Sequence, residues 1–264
     1  MAALCAYDEP KQKEPCLMSH RKYQPVSSLD AAAHRAMVRD IFATITGTYD
    51  FLNRLLSLRR DVAWRRAAAE NGWFGKTGRY LDIATGTGDL ALAVAGRHGE
   101  VFVTAVDFVG EMVTAAAEKI REKALGSRVV LVRADAMALP FPDASFDTAG
   151  IAFGIRNMPD RPGALRQALR ILVPGGRILI LEMHVPDRKI FRDFYAFYLG
   201  RVLPRIARSF SRNPEAYHYL ADSIMHFPAP KGFIRILEEA GFSHVRCHAL
   251  TFGITCLYTA VKAS

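Results

Sequence analysis

From Arg79 onward the chain alternates between two rhythms. Short apolar, β-branched runs, RYLDIA (79–84), VFVTAVD (101–107), RVVLVRAD (128–135), FDTAGIAF (146–153) and GRILILEM (176–183), are separated by segments of helical spacing at about 88–98, 111–124 and 161–172. Strands that are apolar at nearly every position need cover on both faces. Their alternation with helices predicts a parallel sheet with helices above and below it. LVPGGR (172–177) predicts a turn between the third helix and its strand. Farther on, KGFIRILEEAGF reads as a helix ended by Gly241. SHVRCHALT and ITCLYTAVK then read as two strands whose short connection through Phe252 and Gly253 makes them antiparallel neighbours.

Ahead of the sheet the period is helical. Met37, Ile41 and Ile45 recur on one face with Phe42 beside them, so a helix is predicted from near Ala31 through MVRDIFATI. A second is predicted around YDFLNRLLSL (49–58) and a third around DVAWRRAAAE (61–70). Residues 1–30 carry Pro, Lys, Glu and Ser without periodicity, which predicts a disordered or loosely packed tail. Residues 31–264 are then one domain, with 31–76 as an N-terminal helical lid and 185–228 as a long aromatic- and arginine-rich insertion. No internal repeat is visible.

Composition changes this picture little. At 264 residues and 50% hydrophobic, the chain can bury a full core, and no apolar run is long enough to span a bilayer. The formal net charge of +9 favours an anionic partner, but the basic residues are dispersed. With no basic recognition tract, nucleic acid is not the expected partner. Cys5, Cys16, Cys247 and Cys256 form no C-x-x-C pair, so neither a disulfide framework nor a metal site is expected. The acidic residues of MAALCAYDEPKQKEP argue against a secretory signal or presequence and for a reducing, cytoplasmic setting.

Candidate chemistry begins at YLDIATGTGDLALAVA (80–95), where a strand meets a tight turn and a helix starts. Gly86 and Gly88 let a ligand approach the backbone, and the helix N-terminus offers free N–H groups. A dinucleotide motif wants a third glycine where Ala91 stands. Asp107 ends the second strand about 20 residues on, where a carboxylate can accept from both ribose hydroxyls. Asp135 ends the third and can accept from an adenine amino group. NAD and S-adenosylmethionine share that adenosine. Asp82, inside the first strand, leans towards S-adenosylmethionine, because an acid there can partner an ammonium and would repel a pyrophosphate.

The order D-x-A-x-G-x-G, Asp107, Asp135 and LPFPDASFD resembles the Rossmann-like class I methyltransferases. That resemblance implies an α/β fold: a seven-stranded, mostly parallel sheet with an antiparallel last strand, helices on both faces and an N-terminal helical extension. IFATITGTYDFLNRLLSL, LPFPDASFDTAGIAFGIRNMPD, LVPGGRILILEM, YHYLADSI and LEEAGFSHV narrow it. From about residue 35 to the end, the chain is similar to the ubiquinone/menaquinone biosynthesis C-methyltransferases. The resemblance implies S-adenosylmethionine as cofactor and a prenylated quinol, demethylmenaquinol or a ubiquinol precursor, as substrate. By motif it implies cofactor contacts at Thr87, Asp107, and Asp135 with Ala136. The expected cofactor set is completed by Asp82, Thr85, Gly86, Gly88, Phe108 and Ala152. Thr85 stands where the family often has Gly, and Ala152 where it often has Ser.

Carbon methylation requires an electron-rich ring, which loss of a phenolic proton supplies. Arg156 and Asn157 directly follow the fourth strand. A guanidinium there is expected to favour phenolate over phenol, with Asn157 donating to the same oxygen or to a water. His218 in PEAYHYLADSI is a candidate base, with Tyr217 and Asp222 able to line the pocket. Tyr49 and Asp50 are expected in a lid, where Tyr49 can close against substrate. Phe191, Phe194, Tyr198 and Val202 form one helical stripe with Tyr195, Leu199 and Leu203 beside it, and Arg192, Arg201, Arg205 and Arg208 add charge. This composition suits an interfacial helix on anionic lipid at the inner membrane face or an isoprenoid wall, and equally an ordinary core helix or a homodimer contact. Other readings stay open: a methyltransferase of another small aromatic or polyketide, a non-catalytic S-adenosylmethionine-binding scaffold, and, more distantly, an NAD-dependent oxidoreductase.

Overall fold

The computed structural model describes residues 29–186, 188–202, 205, 213 and 215–264. The expected tail therefore lies outside the described residues up to position 28, as do Cys5, Cys16, Leu203 and Arg208. Asp30 already belongs to the fold. Its carboxylate accepts the Ala33 N–H at 2.7 Å and caps the first helix, α1 (Ala31–Leu56).

α1 is one helix of 26 residues where the pattern predicted two. Gly47 interrupts the hydrophobic period without breaking the helix. Its cost of about 1 kcal/mol relative to alanine is small beside the burial of Val38, Ile41, Ile45 and Leu52 on one stripe. Leu58 and Arg59, at φ 51° and 61°, turn the chain sharply into α2 (Arg60–Glu70).

The sheet follows: β1 (Arg79–Ile83), β2 (Phe102–Asp107), β3 (Val129–Arg133), β4 (Phe146–Ala152), β5 (Leu172–Met183), β6 (Phe242–Leu250) and β7 (Thr255–Lys262). Their order is β3-β2-β1-β4-β5-β7-β6. β1 to β5 are mutually parallel, and β7 runs antiparallel between β5 and β6. The class I methyltransferase fold implied by the resemblance is the one observed. The crossovers α3 (Asp89–Arg97), α4 (Gly110–Glu122) and α5 (Arg161–Ile171) lie within one or two residues of their expected bounds. LVPGGR is no free turn. It belongs to β5, whose register jumps from Phe146↔Leu172 to Thr148↔Arg177, so the extra residues bulge out of a continuing strand.

Two cores fill the two faces. Leu81 and Ile83 of β1 join one with α5 and α8 (Pro230–Glu239); Tyr80 joins the other with α2 and α3. A third cluster sits beyond the sheet. There the α1 stripe packs on Tyr195 of α6 (Lys189–Phe197), Leu199 of the π-turn that follows it, and Ala216, Tyr217, Tyr219 and Ile224 of α7 (Glu215–Met225). This cluster roofs the carboxyl ends of β1 and β4, where strand order reverses and open α/β sheets place their ligands.

Candidate active site

Gly86 and Gly88 take φ of +56° and +84°, so the β1–α3 loop curls tightly under α1. Asp107 fixes it: one carboxylate oxygen accepts the Gly86 N–H at 2.8 Å, the other the Val109 N–H at 2.9 Å. Burial pushes this carboxyl upward, partly offset by those N–H bonds. A cavity opens above, lined by Ala84, Gly86, Asp107, Phe108, Asp135, Ala136 and Ala152 with Val109, Met112 and Met137. Arg35 of α1 closes it by an ion pair to Asp135 at 3.0 Å. Two carboxylates along an apolar slot match the chemistry of an adenosine, which needs acceptors for its hydroxyl and amino groups and apolar walls for its base.

Four expected cofactor residues are not on that wall. Side chains alternate along a strand, so Asp82 shares the face of Tyr80 and points beneath α3. Its Oδ2 accepts from the Thr85 hydroxyl at 2.5 Å and from the Ala91 N–H at 3.1 Å, while Oδ1 has no partner. The ammonium role expected of Asp82 is thus replaced by a brace under the loop, and Thr85 serves Asp82 from its non-glycine position. Gly88 caps α3. Thr87 donates to Asp50 of α1 at 2.6 Å. Burial pushes the Asp82 carboxyl up to about 7. A raised acid binds more protons folded than unfolded, so its contribution to stability is full below pH 4 and fades as pH rises towards 7. The slope is at most about 1.4 kcal/mol per pH unit. Asp82→Asn is expected to flatten this fall, read from urea midpoints at pH 5 and pH 8. An unchanged difference between those midpoints would refute a protonated Asp82.

A second cavity, about 540 Å³, lies under the C-terminal half of α1. Its apolar lining includes Ile41, Ile45, Leu52, Leu55, Trp64, Tyr195, Leu199, Tyr217 and Ile224, and Arg156 and Tyr219 are among its polar groups, with Asp61 and Arg65. Phe42, Tyr49 and Phe153 line both cavities, so the two meet there. Ala84 and Phe153, at the ends of β1 and β4, are held at φ +54° and +59°. For non-glycine residues that is strain of a kind found at functional sites. Burial raises the hydroxyl pKa of Tyr49, with Arg65 and Arg156 opposing it, so it stays protonated at neutral pH.

Arg156 and Asn157 form a single 3₁₀ turn between the cavities (Ile155–Asn157). The guanidinium expected to favour phenolate after β4 already has a partner. β5 is the neighbour of β4, and its Glu182 reaches this turn, accepting from Arg156 Nη1 at 2.5 Å and from the Arg156 backbone N–H at 3.2 Å. Arg156 Nε remains buried without a partner. Asn157 faces the first cavity, and its Oδ1 accepts from the Tyr219 hydroxyl at 2.9 Å. His218 is corrected outright: it is exposed on α7 and lines neither cavity, while its neighbours Tyr217 and Tyr219 take the inward face. Asp222 is likewise absent from both walls. Sequence reasoning missed Glu182, Tyr219 and His34. The available signal for Glu182 was an acid at the end of an apolar strand.

Asp50 does more than neighbour Tyr49. It accepts from Lys119 of α4 at 2.7 Å. Lys119 also pairs with Asp89 at the start of α3, and Arg54 of α1 reaches the same acid at 3.1 Å. Burial opposes the charge on Asp89, but Arg65, Lys119 and Arg54 outweigh it and hold its carboxyl at about 2. The C-terminal part of α1 is thereby pinned to both helices beneath it.

The model of the ubiE/COQ5 methyltransferase family matches residues 30–262. A ubiquinone/menaquinone biosynthesis C-methyltransferase of Geotalea daltonii is 42% identical over 226 residues, covering 85% of this chain and 96% of its own. A demethylmenaquinone methyltransferase of Thermus thermophilus is 43% identical over 218 residues, 83% of this chain and 98% of its own. Among solved structures, an S-adenosylmethionine-dependent methyltransferase of Thermotoga maritima superposes with a TM-score of 0.60 at 18% identity, covering 84% of this chain and 98% of that one; it speaks to the fold alone.

Proposed function

The chain belongs to the ubiE/COQ5 methyltransferase family, and from that premise we propose that it moves the methyl group of S-adenosylmethionine to a ring carbon of a prenylated quinol in ubiquinone or menaquinone biosynthesis. The observation that carries this reading is the meeting of a carboxylate-bearing slot with a larger apolar chamber at Phe42, Tyr49 and Phe153. When bound, the cofactor supplies an already activated methyl on a sulfonium. The protein's task is to orient the acceptor ring, exclude water and favour its ionised form. Asp107 holds the ribose, and Asp135 with Ala136 and Phe108 frames the adenine. Arg156, with Glu182 fixing its plane, lines the chamber as a positive charge that favours the ionised quinol oxygen, and Tyr49 packs on the ring. Residues 31–76 serve as the lid, and the described residues within 185–228 as the acceptor-facing insertion. Purified protein offered labelled S-adenosylmethionine with demethylmenaquinol, a ubiquinol precursor and a soluble phenol tests the reading. Label should enter a quinol ring, whereas transfer only to the phenol would favour a general aromatic methyltransferase.

Among the described residues no helix is long and apolar enough to cross a membrane, yet this acceptor lives in one. We infer peripheral docking at the inner, cytoplasmic face. The expected aromatic stripe divides: Tyr195 and Leu199 enter the core, while Phe194 is exposed, as are Ile190 and Phe197 of α6 outside the stripe. Leu58 is 82% exposed at the left-handed turn after α1, and Leu58, Leu55 and Phe194 also line the apolar chamber. Phe252, stacked on Phe191 at 4.9 Å, and exposed Arg59, Arg60, Lys189 and Arg192 complete a cationic apolar rim. Burying such side chains in a bilayer is worth about 1.5–3 kcal/mol each. Flotation with vesicles containing phosphatidylglycerol should carry the protein, and Leu58→Asp with Phe194→Asp should release it. A dimer in solution that covers this rim, or no flotation at all, would overturn the docking.

A further inference from the structure

The proton removed from the quinol needs an acceptor, and the side chains considered so far are poor ones. Both Glu182 oxygens are held by Arg156, and Oε1 also takes the Met183 N–H. The Tyr198 hydroxyl ends on the Leu56 carbonyl, which accepts no proton. Tyr219 differs. It is buried on the chamber wall beside Arg156. Its hydroxyl oxygen lies 2.9 Å from Asn157 Oδ1 and 3.4 Å from Nε2 of His34, itself buried in the first turn of α1. A tyrosine that lines the chamber and whose hydroxyl backs onto an imidazole offers a two-step path for a proton.

We propose that Tyr219 takes the quinol's hydroxyl proton while passing its own to His34. This rests on the methyl-transfer reading above. The substrate O–H bond breaks and its proton joins Tyr219 Oη. The Tyr219 O–H bond breaks in concert, and that proton forms N–H on His34 Nε2. The electron pair left on the quinol oxygen delocalises to the ring carbon, which takes the methyl; the sulfur keeps the former S–C pair as a neutral thioether. As the methylated carbon sheds its hydrogen to water, the single proton released overall, the imidazolium returns its proton through Tyr219 to the ring oxygen. No oxidant or reductant is required.

The surroundings agree. Burial, aided by Arg161 of α5, holds the His34 pKa below its ordinary value, so the ring is neutral and able to accept at pH 7. Burial raises the Tyr219 pKa, so the hydroxyl is protonated at rest. Arg156 and Arg161 favour its transient anion; Glu182 of β5 and Asp222 of α7 oppose it. Asn157 anchors the hydroxyl between turns of the relay. Both residues are thus carried by the elements that roof the chamber, α1 and α7.

The test is turnover against pH with a short-chain demethylmenaquinol, for the unsubstituted protein, Tyr219→Phe and His34→Gln, with S-adenosylmethionine affinity measured in parallel. Tyr219→Phe keeps the ring and is expected to lower kcat about 10²–10³-fold at unchanged cofactor affinity. In the unsubstituted protein kcat should fall on the acid side as His34 protonates, and His34→Gln should abolish that limb. Tyr219→Phe turning over within threefold of the unsubstituted protein, or an acid limb that survives His34→Gln, overturns the relay. No quinol methylation by the unsubstituted protein would overturn the methyl-transfer reading itself, and the relay with it.

Discussion

Shortening Glu182 to alanine is expected to cost the fold about 3–5 kcal/mol and to leave no measurable methyl transfer. Glu182 is fully buried and Arg156 nearly so. Each has given up its hydration, and the pair at 2.5 Å offsets that loss only while both partners are present. Burial works against the guanidinium's charge and the Glu182 carboxylate restores it, which holds the Arg156 pKa above its ordinary value. Remove the carboxylate and a desolvated cation loses its counter-charge, with Arg161, of the same sign, held at its backbone carbonyl at 3.2 Å. The double variant Glu182→Leu, Arg156→Met removes both charges and should regain most of the stability, yet stay inactive. Urea unfolding reads the first effect and the labelled-methyl assay the second. An unshifted urea midpoint for Glu182→Ala would mean that the pair does not hold the turn at Ile155–Asn157.

Replacing Asp107 with alanine should weaken S-adenosylmethionine binding about 10²–10³-fold by calorimetry. This carboxylate has two jobs. It faces the slot, where it can accept from ribose hydroxyls, and it ties the Gly86 and Val109 N–H groups into place. A hydrogen bond to a charged group is worth about 1.5–3 kcal/mol, so losing two such contacts together with the loop's shape gives this range. Asp135→Ala should be milder, tenfold or less. Its carboxylate is partly exposed and already engaged by Arg35, so much of its field is screened. Cofactor affinity for Asp107→Ala within fivefold of the unsubstituted protein would overturn the assignment.

The sheet is legible in the amino-acid sequence because buried parallel strands leave a nearly unbroken apolar record, and the glycines of the β1–α3 loop mark its end. Positions that depend on one strand's neighbour leave no such record. The period of two sends Asp82 beneath α3, but nothing in YLDIA says on which face the cofactor lies. Arg156 is visible as a charge after β4; that its counter-charge arrives from β5 follows from sheet order, not from local sequence. Across Gly47 the pattern suggests a break where packing sustains a continuous α1. His218 stands out for its chemistry, and only the angular position of α7 reveals that Tyr219, one residue on, faces inward instead.

α1 is a beam shared by two rooms. At about 1.5 Å per residue its 26 residues run some 39 Å, with Arg35 and Val38 over the donor slot, Leu52 and Leu55 over the acceptor chamber, and Phe42 and Tyr49 over both. Whatever steadies one end steadies the other. Occupancy of either room should then raise affinity in the other, and thermodynamic linkage requires the two enhancement factors to be equal. Such a protein would sense its lipid-borne guest and its water-borne guest as a single event, and would hold each loosely until the other arrived.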